Sequence, residues 1–261
     1  MNQARAIGVI ARSVLLEAIR RKEIYLLIAI CFALIGFVLS MDFFGLGGLI
    51  KFYREVSLRL IGTFTAVAVI LLATRQLPRE FELRTIYPLM ARPVSRWAFI
   101  MGKGLGVFLA AVFCFLLFIL IYTPGMLFLG GEIAWGLFLQ HIYLQLLQMF
   151  VLTAAAFLLS LCFSKSGALT MVLLLYFAST LLSSISVSIY ELTTPLGQGL
   201  LTILNYGLPQ VALFDLSGKA LHSELWSPLS LPIMAALTLY AAFYTLVYGT
   251  IAYALFRRRP L

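Results

Sequence analysis

Charged side chains are scarce in this chain, at 11% of 261 residues, where a soluble domain carries about 25%. With 62% of residues hydrophobic, against about 45–50% in soluble domains, an ordinary cytosolic fold is excluded. Cysteine is sparse too. Cys31, Cys114 and Cys162 lie in apolar runs, form no C-x-x-C pair and have no metal-ligand spacing, so they read as free thiols buried in helices. Histidine occurs only at His141 and His222, far apart and without further ligands; no metal site is expected. A phosphate-binding G-x-x-x-x-G-K-[ST] loop is missing. Its nearest approach, Gly218-Lys219, runs into Ala220 and lacks the first glycine. No ATPase, no catalytic residue and no cofactor are therefore expected in this chain. The acids Glu132, Glu191, Asp215 and Glu224 form no close buried couple of the kind acid–base catalysis requires.

What the chain does have is long apolar runs. A membrane span needs about 20 mainly apolar residues, and six such runs are predicted: 24–41, 56–74, 104–129, 135–163, 167–190 and 232–256. The second is interrupted by Arg59, near enough to its end for the side chain to reach the headgroups. Gly45-Leu46-Gly47-Gly48 reads as a linker. No cleavable leader is expected, since the first apolar run follows an amphipathic charged segment. That segment, residues 2–22, places Ile7, Ile10, Val14 and Ala18 near helical spacing and pairs Glu17 with Arg21. It reads as a helix lying in the membrane interface.

The net charge of +9 would suggest nucleic acid in a soluble protein. Here the charges sit between spans, so nucleic acid is not expected and topology is the better reading. With six spans, one side carries 15 of the 19 Lys and Arg, including the cluster Arg257-Arg258-Arg259; the other carries Lys51, Arg54, Arg59 and Lys219. The positive-inside rule then places both termini in the cytoplasm. A seventh span over 196–214 would reverse that cluster and would hold Gln198, Asn205, Pro209 and Gln210. Residues 191–231 are therefore predicted to be an outer segment of short helices that re-enter or lie at the surface, which is tolerated when buried against protein.

Residues 75–103 hold six basic residues and several prolines, and are predicted to form a cytoplasmic loop. Pro78 suits the first turn of a helix. Leu83, Ile86, Tyr87 and Met90 share one face, and Glu80 and Arg84 are an i,i+4 pair. Pro88 interrupts that helix, and Ser95 is placed to cap the next one. Read from the residues alone, this is a short charged amphipathic helix held between two spans.

The run REFELRTIYPLMARPVSRWAFIMGKGLG, residues 80 onward preceded by Arg79, resembles the signature loop of ABC-2 type transporter permeases. Its matching elements are Glu80, Glu82, Thr85, Ile86, Pro93, Val94, Ser95, Arg96, Gly102 and Lys103. The N-terminal ARSVLLEAIRRKEIYLL is similar to the helix that opens the family's fold, and the branch it looks like is that of permeases linked to multi-copper enzyme maturation. The resemblance covers residues 1–110 most closely and implies a single transmembrane domain over 1–261, all α-helical. It implies that the loop is a coupling helix docking on a separate ATP-binding cassette subunit, with Glu80, Glu82, Arg84, Thr85, Tyr87, Pro88, Arg92, Pro93 and Arg96 as coupling residues. ATP and Mg would then bind the partner subunit. It further implies a permease homodimer in a bacterial inner membrane, acting as an exporter, with a periplasmic accessory protein as an additional partner. The scattered methionines form no copper-binding ladder.

Two polar faces interrupt the spans. His141, Gln145 and Gln148 fall at i, i+4 and i+7, and Ser179, Ser183 and Ser186 share a face. Each reads either as interhelical packing and hydrogen bonding or as a translocation surface at a dimer interface, with His141, Gln145, Gln148, Ser179 and Ser183 as its members. Rival readings are a secondary transporter, which would need ionisable residues at the midplane, a membrane assembly factor that transports nothing, and an intramembrane enzyme, which would need a nucleophile or metal constellation.

Overall fold

The computed structural model describes residues 3–40, 45–83, 95–189, 194–218 and 228–258, with side chains except at 45–47, 182–189, 195, 196, 200 and 204–206. Every regular element among them is helical. Helix α1 is Gln3–Ile19, α2 Lys22–Leu39, α3 Gly45–Glu82, α4 Arg96–Phe128, α5 Trp135–Cys162, α6 Lys165–Ile189, α7 Pro195–Gly207 and α8 Leu231–Arg258, with a 3-10 turn at Val211–Phe214. Five of them (α2, α3 from Gly48, α4, α5 and α8) are long and apolar enough to cross a membrane.

Helix α3 corrects two sequence expectations. The glycine-rich stretch at 45–48 is helical, and so are residues 75–82, expected as loop. Pro78 lies inside α3 and starts no new helix. Proline removes only its own N–H bond, and the backbone continues beyond it, with Leu83 N–H donating to Arg79 O at 2.9 Å. Thirty-eight residues at about 1.5 Å each span about 57 Å, well past a hydrocarbon core of about 30 Å. The last turns of α3 thus stand clear of the apolar layer and carry Arg75, Arg79 and Glu80 with them. Residues 84–94, including most of the predicted amphipathic face and Arg84, lie outside the described residues. Ser95 caps α4 as its spacing predicts, its Oγ accepting from Ala98 N–H at 3.1 Å.

Helix α1 buries Ala6, Ile10, Ala11, Val14 and Ala18, but that stripe is covered by α4. Two glycines on α4 make the approach possible. A Cβ on Gly102 would come within 2.8 Å of Ile10 Cβ, and one on Gly106 within 2.5 Å of Val14 Cβ. Spaced four apart, they form the small-x-x-x-small groove that lets helix backbones close up. The core lies among α3, α4 and α5, where Tyr53 and Tyr122 stack at 5.7 Å and the Tyr53 hydroxyl donates to Tyr122 O at 3.1 Å. By contrast α2 buries only Ile24, Cys31, Ile35 and Val38 and exposes Tyr25, Leu26, Phe32 and Phe37, the face of a helix that meets lipid.

Cys31 and Cys114 are buried as expected, whereas Cys162 is exposed. It is the last residue of α5, where no neighbouring helix covers it. Arg59 points outward and pairs with Glu55 at 3.5 Å.

Candidate functional site

One end of the bundle gathers ionic side chains from several helices. Glu17 at the end of α1 accepts from Arg21, at 2.5 Å, and from Arg79 on α3. Glu23 in the first turn of α2 pairs with Arg75. Lys103 on α4 is almost fully buried and bonds Glu80 at 2.5 Å and Gln76 at 3.2 Å, with Phe99 beneath it. Arg96 donates to the backbone O of Arg257 at 2.5 Å, and Phe256 stacks on Phe99 at 5.7 Å, which ties the end of α8 to the same place. Gln3 at the start of α1 accepts from Ser95 Oγ at 2.9 Å.

These contacts clamp both ends of the 84–94 segment to the body. Of the expected coupling residues, Glu80 is half-buried against Lys103, Glu82 is exposed at the end of α3 and Arg96 opens α4. Arg84, Thr85, Tyr87, Pro88, Arg92 and Pro93 lie outside the described residues. Sequence reasoning paired Glu17 with Arg21 but did not find Arg79 or the Glu23–Arg75 and Glu80–Lys103 bridges, because such pairs depend on which helix ends meet.

Arg21 is the strained member of the cluster. Its Nε is buried without a hydrogen-bond partner among the described residues. Burial pulls its pKa below the ordinary arginine value; Glu23 opposes that and Arg75 adds to it.

A second polar region lies midway along the helices. His141, Gln145 and Gln148 face inward from α5, all buried, and Ser179 is buried on α6. The Gln145 amide rests against Gly62 of α3. Tyr176 lies beside Thr63 and Gln148, and Asp215 is within electrostatic range of His141. Ser179 Oγ accepts from Val211 N–H at 3.0 Å, and Tyr240 O accepts from Gln210 N–H at 2.8 Å. These two bonds satisfy the non-helical backbone ahead of the 3-10 turn, whose Phe214 packs with Leu144, Val151 and Tyr244. The four side chains are thus enclosed within one chain, off its outer surface. The Ser183 side chain lies outside the described residues.

Part of this layer is unsatisfied. Both ring nitrogens of His141 and the Gln148 Oε1 are buried with no hydrogen-bond partner among the described residues. Most buried polar atoms in proteins do have one. Sequence periodicity placed His141, Gln145 and Gln148 on one face; it could not supply Tyr176 and Asp215, which arrive from other elements. Among the described residues, no three His, Cys, Asp or Glu side chains converge as a metal site.

The profile of the family described as ABC-2 family transporter protein matches residues 10–261. No curated protein matches the chain.

Proposed function

The chain belongs to the ABC-2 family of transporter proteins, and from that premise we propose that it is the permease subunit of an ABC transporter, coupling ATP hydrolysis on a separate ATP-binding cassette subunit to export across a bacterial inner membrane. In this reading it works as a homodimer with two ATP-binding subunits below it, ATP and Mg bind those subunits, and a periplasmic accessory protein completes the assembly. The branch is the one its opening helix and loop resemble, that of permeases linked to multi-copper enzyme maturation.

We place six spans, the sixth being α6, a helix of 25 residues. Parity supports this. Lys165 at the start of α6 lines the same recess as Arg75 and Arg79, and α8 returns to that end through Arg257. A helix that leaves this end as α6 therefore crosses once before α8 crosses back. Both termini are then cytoplasmic, α1 rides at the interface, and the segment around Val211–Phe214 re-enters from the outer side.

The observation that supports the mechanism is the set of contacts that hold the two ends of segment 84–94. A loop can transmit a rigid push only if its ends do not yield, and here Glu80–Lys103, Arg79–Glu17 and Ser95–Gln3 fix them across three helices. Closure of the ATP-binding subunits would press on Arg84–Arg92 and move α3 and α4 together, and with them the polar layer around His141 and Gln148. Arg84→Glu with Arg92→Glu tests this without touching the Glu80–Lys103 bridge. The double variant is expected to reach the membrane normally and to lose co-purification with its ATP-binding subunit. An intact complex carrying both reversals would remove the coupling assignment.

A further inference from the structure

The ionic end of the bundle contains more positive charge than its own carboxylates meet. A recess of about 370 Å³ is lined by Arg20, Arg21, Arg75, Arg79 and Lys165, with Glu17 the sole acid among the described residues of its wall. Glu17 is engaged by Arg21 and Arg79; Glu23, beside the recess, is engaged by Arg75 and lies within electrostatic range of Lys165. Arg20 and Lys165 make no ion pair among the described residues, and the buried Arg21 Nε has no partner. Five cations therefore line one concavity, and the two carboxylates nearest them are already engaged. Guanidinium forks suit the oxygens of a phosphate, which they can grip in pairs.

Position selects the source of that phosphate. Arg20 and Arg21 directly precede the apolar helix α2, Arg75 directly follows the apolar run of α3 that ends at Thr74, and Lys165 is the first residue of α6. The recess is thus level with the ends of three apolar runs, the depth at which headgroups lie. The first turns of α2, which follow Arg21 in the chain, expose Tyr25 and Leu26, apolar side chains against which acyl chains can lie. Basic pockets between helices at such a boundary suit anionic headgroups, and anionic lipid gathers where Lys and Arg are concentrated.

We propose that this recess binds the phosphate of an anionic phospholipid whose acyl chains lie along the exposed face of α2. The site joins α1, α2, α3 and α6, so an occupied recess holds together the same helix ends that frame the 84–94 loop. It depends on membrane insertion alone and stands whether or not the coupling reading survives.

The full chain in neutral detergent is titrated with dioleoylphosphatidylglycerol, with dioleoylphosphatidylcholine and with inorganic phosphate, and binding is read by native mass spectrometry and by the shift in melting temperature. Phosphatidylglycerol is expected to bind saturably and raise the melting temperature, while phosphatidylcholine and millimolar phosphate do neither. Arg20→Gln with Lys165→Gln is expected to weaken phosphatidylglycerol binding about 30-fold, at about 5-fold per cation lost. Neither residue makes an ion pair among the described residues, so the lipid-free protein should melt as wild type; if the double variant fails to fold, Arg20→Gln alone is expected to show the 5-fold loss. Arg5→Gln with Arg12→Gln removes equal charge from the exposed face of α1 and should leave binding unchanged. Equal binding by wild type and the Arg20 variants overturns the site. Displacement of the lipid by inorganic phosphate or by an acidic peptide overturns the lipid assignment, in favour of a soluble anion or a protein contact respectively.

Discussion

At the ionic end of the bundle Glu17, Glu23 and Glu80 each meet a cation from another helix. Halfway along, His141 and Gln148 are buried far more deeply and hold nitrogen and oxygen atoms that meet nothing among the described residues. The two regions use polar atoms for opposite ends. A buried pair such as Lys103–Glu80 fixes position, because losing one partner leaves the other's charge uncompensated; the exposed pairs at Glu17 and Glu23 hold more weakly. Unmet hydrogen-bonding capacity fixes nothing and costs stability. The first region ties helix ends together, and the second keeps donors and acceptors that a further polar group could meet.

The sharpest way to break this contrast is at Lys103. Lys103→Met leaves the half-buried Glu80 carboxylate without its ammonium, and should cost about 3 kcal/mol, read as a lowered midpoint of thermal unfolding in detergent. Adding Glu80→Gln should return part of that loss, since no charge is then stranded. Strictly additive single and double variants would mean that the bridge is incidental and that the loop is held by something else.

A smaller effect is expected where the polar layer does hold structure. Ser179→Ala removes the acceptor for Val211 N–H and leaves a buried donor unmet, at about 1–2 kcal/mol. Tyr240→Phe does the same to Gln210 N–H at a neighbouring point of the same segment. Faster hydrogen exchange confined to 208–217 in both variants would show that these two bonds pin the segment; unchanged exchange would show that Phe214 packing suffices.

Much of the architecture can be read from composition. The apolar runs at 24–41, 104–129, 135–163 and 232–256 coincide with helices because hydropathy and helix length answer to the same bilayer thickness. The ends of α3 could not be read. Glycines at 45–48 and Pro78 are turn signals in isolation, yet tertiary packing carries the helix through both. The covered stripe of α1 was visible as a stripe, but whether it meets lipid or protein depends on Gly102 and Gly106 of another helix. In the polar layer, periodicity aligned His141, Gln145 and Gln148, while Asp215 and Tyr176 come from elements whose placement no local pattern encodes. Ionic pairs between helix ends were equally hidden, since Glu17 meets Arg79 across 62 positions.

The smallest expected change in stability is at His141 and Gln148, and it is the most informative about function. His141→Leu removes two nitrogens that have no partner, so the loss of packing is offset by the removal of an unmet polar group, and stability should change by less than about 1 kcal/mol. Gln148→Leu should cost somewhat more, because its Oε1 is an orphan atom but its side chain also hydrogen-bonds Tyr176. If the layer serves moving cargo, both variants should assemble with the ATP-binding subunit and hydrolyse ATP, yet lose the stimulation that transport gives. The measurement is thermal unfolding of the permease alongside ATP hydrolysis by the reconstituted complex, with Ser179→Ala as the structural comparison. A His141→Leu protein as unstable as Ser179→Ala would place the imidazole among the groups that hold the fold, and the division between the two polar regions would disappear.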